Sequence, residues 1–339
     1  MTENILIEQK TSQLITYEVA SRVKAILDEG TAENTRKAYR SDIEYFAAWA
    51  KIAAGYEMEY PVPPALLIRF ITDHLGGMDE EIDNKLVSSG IKAKTGAHSL
   101  NTICRRIASL SAAHGALKVE NPCRCKEVTI LISKARKAGA KKGLGPTKKK
   151  AATRDILEIM LATCRDSLID IRDRALLLFA FSSGGRRRSE VAGARIVNLT
   201  SIQGGFLYHL PYSKTDQEGE GKVLPILGRA AQALSEWLTR AEINEGFIFR
   251  SISKGGRIKK NITCKTVARI VKKRAKMAGL DQDLFSGHSL RSGFITEAGR
   301  QGKSLGDTMA LSGHKAVRVA IGYHQAGNVI NNSCAQLMG

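Results

Sequence analysis

Residues 286–323 read SGHSLRSGFITEAGRQGKSLGDTMALSGHKAVRVAIGY, and the rest of the chain is organised around them. A His-x-x-Arg pair, a Gly-His step and a late tyrosine fall within this one stretch, and each of these groups can touch a phosphate. On a helix, His288 and Arg291 stand i,i+3 and share a face, and two cations on one face want an anion. His314 and Tyr323 are separated differently. Nine helical steps would set them roughly 13 Å apart and on opposite sides. The chain is therefore expected to bend between them, with Gly322 the expected place, and to deliver the Tyr323 phenol from its own short segment toward a site built elsewhere.

Upstream, the mostly apolar residues 168–181 are followed by SSGGRRRSEVAGARIVNL. Arg187 and Glu190 form an R-x-x-E pair in which the carboxylate can hold the guanidinium in place. A surface salt bridge is the ordinary reading of such a pair. Two features raise it: Gly184 and Gly185 bring backbone close, and three consecutive arginines concentrate positive charge at a chain turn. Lys214, in the glycine-rich SKTDQEGEG between two expected strands, reads either as solvent-facing decoration or as a proton donor whose pKa neighbouring cations push down. His314 alone reads as a cap at Gly313, and Tyr323 alone as a half-buried packing residue. Together the groups fit in-line attack by a phenolate on a phosphodiester. Arginines neutralise the non-bridging oxygens, a base takes the phenolic proton, and an acid returns one to the departing oxygen. No carboxylate cluster suited to Mg²⁺ stands near them, which points to metal-free chemistry.

The 339 residues carry 52 Lys and Arg against 33 Asp and Glu, a net charge of +19 that asks for a polyanion as partner. Charge alone does not choose between DNA, RNA and a membrane surface. No stretch approaches the ~20 apolar residues of a spanning helix, and the start, MTENILIEQK, lacks the features of a secretory signal. Cys104, Cys123, Cys125, Cys164, Cys264 and Cys334 are scattered without metal-binding spacing. A reducing, cytoplasmic setting is expected, with no metal, cofactor or membrane partner.

Residues 1–14 read as a flexible arm. Helical periods at 14–27, 35–53, 64–75, 99–113 and 128–138 make a helical first domain over 15–138, with 76–96 a long, partly ordered connection and Arg105 and Arg106 facing outward. Residues 139–150 form a basic linker, either a solvated loop or a strap along a nucleic-acid backbone, with Lys148, Lys149 and Lys150 as DNA contacts. The second domain, 151–339, has helices at 153–161 and 168–181, strands at 206–210 and 222–227, and helices at 230–241, 263–278, 290–301 and 304–311. The fold class is mainly α with a small antiparallel sheet, in two domains.

Order and spacing in the second domain resemble the tyrosine recombinase (phage integrase) family, with a layout most like Cre-type enzymes; the first domain resembles the family's core-binding domain in length and helix content. GGRRRSE matches the first arginine motif, which implies Arg187 as phosphate ligand and Glu190 as its support. SKTD resembles the lysine loop and implies Lys214 as donor to the 5′ oxygen. SGHSLR matches the His-x-x-Arg box, LSGH places His314 against the scissile phosphate, and Tyr323 is the implied nucleophile. The resemblance further implies strand exchange through a 3′-phosphotyrosyl link and a Holliday junction, on double-stranded DNA with inverted repeats. It also implies a grip on DNA between the two domains and a homotetramer in which residues 329–338 dock on a neighbour. Arg186 stands where the family normally has an apolar residue, so Arg186 or Arg188 remains open as the working arginine, and both are expected DNA contacts; Arg187 is preferred because only it stands three before Glu190. A type IB topoisomerase, a telomere resolvase and a non-catalytic DNA-binding regulator are the competing readings.

Overall fold

A computed structural model describes residues 33–143, 149–211 and 221–329. The chain divides into two compact units, Met1–Pro146 and Thr147–Gly339. The expected arm and the helix at 14–27 lie outside the described residues.

The first unit is built from α1 (Glu33–Ala54), α2 (Pro64–Thr72), α3 (Glu80–Ser88), α4 (Leu100–Leu117) and α5 (Lys126–Lys141). In α1, Tyr45, Phe46, Trp49 and Ala50 recur at helical spacing and are buried, while Lys37 pairs with Glu33 on the wet side. Pro64 opens α2, where its missing N–H costs nothing. Phe46, Trp49 and Phe70 meet with ring centroids 5.0 to 5.6 Å apart. Each such ring contributes about 2–3 kcal/mol of burial free energy.

Two expectations fail in this unit. Residues 76–96 are not simply a connection, because they contain α3. Asp79 caps it by accepting from the N–H groups of Glu81 and Ile82, and the acidic first turn faces the positive helix end. Lys92 then closes the following loop by pairing with buried Asp83 and donating to the Gly96 carbonyl at 2.6 Å. Arg106, expected to face outward with Arg105, turns in: it is 9% exposed and its guanidinium lies 3.1 Å above the Tyr45 ring. The 3.6-residue period explains this, since Arg106 sits on the flank beside Ile103 and Leu110.

The second unit comprises α6 (Arg154–Leu161), α7 (Leu168–Ser182), α8 (Arg188–Ala192), β1 (Leu199–Ile202), β2 (Gly205–Leu210), β3 (Lys222–Leu227), α9 (Gly228–Arg240), α10 (Cys264–Met277), α11 (Ser289–Arg300), α12 (Leu305–Ser312) and α13 (Val317–Gly327). Ser167 caps α7, whose body from Ile171 to Ala180 is almost wholly buried, so the other elements are laid around it. Fully buried Arg274 on α10 donates to Asp173 and Asp170 of α7 and to the Thr163 carbonyl. The sheet is antiparallel in the order β1-β2-β3. Its first strand was not expected; four residues of LTSI are too few to show an alternation, and the turn through Gly204 at φ 83° makes the hairpin. Lys222 pairs with Leu210, and residues 212–220, with Lys214, lie outside the described part.

The bend before Tyr323 is real but not at Gly322, which sits inside α13. The chain turns at Gly313, the left-handed cap of α12 at φ 70°, and at extended Ala316. Helices α11 and α13 then lie in close contact because Gly299 faces the His324 carbonyl and Gly327 the Thr296 carbonyl; a Cβ would fall 2.1 and 1.9 Å from those oxygens. Val329 is exposed, and residues 330–338 of the expected docking segment lie outside the described part. Among the described residues no helix is long and apolar enough to cross a membrane.

Candidate active site

The site begins where α7 ends. Gly184 and Gly185 have φ of 98° and 70°, a region that side chains with a Cβ avoid. A Cβ on Gly184 would also lie 2.4 Å from the Leu311 carbonyl oxygen, and one on Gly185 2.5 Å from the Arg291 Cα. The double glycine is therefore what lets the arginine turn pass against α11 and α12.

Arg187 takes the N-cap position of α8 rather than a helical face. Glu190, three residues on and 8% exposed, accepts from the Arg187 backbone N–H at 3.0 Å and from its Nη1 at 2.7 Å. The Arg187 side chain stays 24% exposed. Its neighbours go opposite ways. Arg186 is 2% exposed; Nη2 donates to the Leu311 carbonyl at 2.7 Å and Nη1 lies 3.6 Å from Glu190. Arg188 is exposed and lies against Gly287. Arg186, expected as a DNA contact, has its guanidinium turned into the fold, where Nη1 and Nη2 meet protein acceptors.

His288 is the N-cap of α11 with helical dihedrals, and Arg291 lies three residues on in the first turn, 2% exposed. Arg291 Nη1 donates to the carbonyls of Gly185 (3.1 Å) and Ser312 (2.8 Å), and Nη2 stands 3.1 Å from His314 Nδ1. A guanidinium only donates, so His314 Nδ1 accepts and the ring proton is on Nε2. The tautomer follows from the partner. Tyr323, half-buried on α13, meets the His288 ring edge-on with centroids 6.2 Å apart.

The electrostatics follow from crowding. Burial, then Arg187 and Arg186, lowers the Arg291 pKa to about 9. Burial, then Arg291 and Arg187, lowers His314 to about 4, and the same causes in the same order lower His288. Lys222, whose Nζ donates to the Ala310 carbonyl, is lowered by burial and then by Arg186 and Arg291. Among the described residues, four cations thus share the one carboxylate of Glu190, an imbalance that an anion relieves.

Arg187, Glu190, Arg291 and His314 are brought together, with His288 and Tyr323 beside them. Lys214 and Lys148 are outside the described residues. Lys149 donates to the Asp283 carbonyl at 2.5 Å and the Lys150 N–H to the Leu284 carbonyl at 2.8 Å. Arg105 is half-exposed and paired with Asp42. The sequence reading missed Lys222 and the inward clamp of Arg186; no local pattern announces a contact between Lys222 and Ala310, 88 positions apart.

The profile of the phage integrase family matches residues 150–328. An integrase/recombinase xerD homolog of Selenomonas ruminantium is 29% identical over 328 residues, covering 94% of this chain and 89% of that protein. Among solved structures, a lambda integrase(75-356) dimer bound to a COC′ core site superposes with a TM-score of 0.54 at 17% identity, covering 92% of this chain and 95% of that one. A lambda integrase tetramer bound to a Holliday junction gives 0.51 at 18% identity, covering 86% and 75%.

Proposed function

Since the chain belongs to the phage integrase family, and is accordingly a tyrosine-type site-specific DNA recombinase, we propose that it cuts and rejoins DNA through a covalent 3′-phosphotyrosyl link at Tyr323. The observation that carries this reading is the crowding of Arg187, Arg291, Lys222 and Arg186, which among the described residues share the carboxylate of Glu190, with the Tyr323 ring against His288. A bridging phosphodiester supplies the missing negative charge, and its two non-bridging oxygens suit the guanidinia of Arg187 and Arg291. His314, neutral and with its proton on Nε2, donates to the same phosphate.

In the first step the Tyr323 oxygen bonds to phosphorus while the bond from phosphorus to the 5′ oxygen breaks. The phenolic proton passes to His288, and Lys214 protonates the leaving 5′ oxygen. One P–O bond replaces another of similar energy, so no nucleotide is consumed. The freed 5′ hydroxyl of a partner duplex then reverses the step and yields a Holliday junction. Solved relatives with this fold act as a dimer on a core site and a tetramer on such a junction. A tetramer on paired inverted repeats is the assembly proposed here. The exposed side of α10, with Lys265, Arg269, Lys273 and Lys276, supports contact with the DNA backbone.

The test uses nicked duplexes carrying randomised inverted repeats, with protein–DNA adducts captured in SDS and mapped by mass spectrometry. The expected outcome is an adduct on Tyr323 that Tyr323→Phe loses entirely while still retarding the same duplexes. An adduct on another residue removes Tyr323 from the role. Relaxation of supercoiled plasmid lacking a captured site, without exchange between duplexes, replaces recombination with a topoisomerase reading.

A further inference from the structure

Three successive carbonyls at the end of α12 each accept from a cation on a different element. Lys222, the first residue of β3, donates to Ala310; Arg186, on the turn after α7, donates to Leu311 at 2.7 Å; Arg291, on α11, donates to Ser312 at 2.8 Å. The last carbonyls of a helix lack intrahelical partners and carry partial negative charge, so cations are favoured there. Three are more than an eight-residue helix requires. Their crowding is costly: burial lowers all three pKa values, and neighbouring arginines lower each further. Immediately beyond lie Gly313 and His314, and His314 Nδ1 is held by the Ser312 hydroxyl at 2.9 Å and by Arg291.

We propose that Arg186 and Lys222 are positioning residues for strand cleavage, which together with Arg291 fix the end of α12 and so aim the Nε2–H of His314 at the scissile phosphate. This rests on the function proposed above. Arg186 is the more telling of the two, because it is 2% exposed and reaches both a carboxylate and a carbonyl. Its guanidinium spans from Glu190, the carboxylate that holds Arg187, to a carbonyl three residues before His314. An apolar side chain leaves the Leu311 oxygen without this donor. Lys222 makes a second tie. It pairs with Leu210 at the base of the β2–β3 hairpin, so the same helix end anchors the strand that follows Lys214 in sequence.

The experiment combines single-turnover cleavage of the captured duplexes with ¹⁵N spectra of histidine-labelled, DNA-free protein. In the wild type, His314 is a single Nε2–H tautomer. Arg186→Met lowers the cleavage rate at saturating protein roughly 10- to 100-fold, the size expected when an active-site group is slightly misplaced. Half-saturation for DNA stays within about twofold, and His314 loses its single tautomer. Arg186→Lys recovers most of the rate, since an ammonium still reaches the carbonyl. Lys222→Met, which leaves the buried arginine in place, lowers the rate in the same direction. Wild-type rates and an unchanged His314 signal in both Met variants overturn the proposal, as does parallel loss of DNA binding and thermal stability in Arg186→Met that Lys does not rescue. A wild type that forms no adduct, while the histidine spectra respond as stated, instead overturns the recombinase mechanism and leaves the clamp on His314 standing.

Discussion

Each unit buries histidine, tyrosine and arginine together, and the two clusters are used differently. In the first unit His74 Nδ1–H donates to the Phe70 carbonyl at 2.7 Å and Nε2 accepts from the Tyr45 hydroxyl at 2.8 Å; Tyr45 in turn accepts from His98 at 3.1 Å. The two imidazoles stack with centroids 5.3 Å apart, and Asp42 and Asp83 answer Arg105, Arg106 and Lys92. In that network the charges are answered pairwise, although the buried Arg106 Nε and Nη1 make no hydrogen bond among the described residues. In the second unit the guanidinia and Lys222 cap carbonyls or share Glu190, and the bonds of His314 use Nδ1 only. Residue type therefore does not make a site. Unbalanced charge beside a partly exposed arginine and a phenol does.

The comparison breaks first, and most visibly, at Arg291. Replacing it with Met is expected to slow cleavage about 10³-fold or more, as loss of a transition-state charge donor does. Stability should move by less than about 1 kcal/mol, because the carbonyls left without a donor are offset by relief of cation crowding. A large drop in the urea midpoint shows instead that Arg291 serves the fold. Asp42→Ala in the first unit should do the reverse and cost about 3 kcal/mol of stability, since it strips the counter-charge from Arg105 and Arg106. A midpoint shift under about 1 kcal/mol means that this cluster is not the charge-paired structural network described. Lys214→Ala should slow cleavage about 10²-fold with DNA retardation intact, and a substrate with a 5′-thiol leaving group, which needs no proton, should restore the rate. Failure of that rescue removes Lys214 from proton donation.

Stability also depends on pH. His74, His98 and His314 have folded-state pKa values of about 3, 4 and 4, against an ordinary 6.5. The unfolded chain takes up these protons first. Stability is thus complete above pH 6.5 and is lost progressively as pH falls toward 4. Resonances of His74, His98 and His314 that titrate near 6.5 in the folded protein contradict the burial of both clusters.

How much of this was legible depends on the range over which each feature is decided. The helix of Tyr45, Phe46 and Trp49 is written in its own period, and Asp79 with Glu80 and Glu81 announces α3 once the glycines around it are discounted. The pairing of Arg187 with Glu190 was visible because three residues separate them, although its form, an N-cap rather than a helical face, was not. The break before Tyr323 was expected on helical geometry. Its place at Gly313 was not, because Gly322 carries the same local signal and only the packing of α11 on α13 keeps it helical.

By itself the amino-acid sequence determined the excess of positive charge, the helices and their caps, and the order of arginine, lysine, histidine and tyrosine that marks the family. Which of three adjacent arginines turns inward, that Arg106 covers Tyr45, and that Lys222 reaches Ala310 were decided only in the folded molecule. The physical reason is range. Periods and caps are satisfied within a few residues, whereas the burial of a charge depends on which distant carbonyls and carboxylates the packing of whole helices brings within reach.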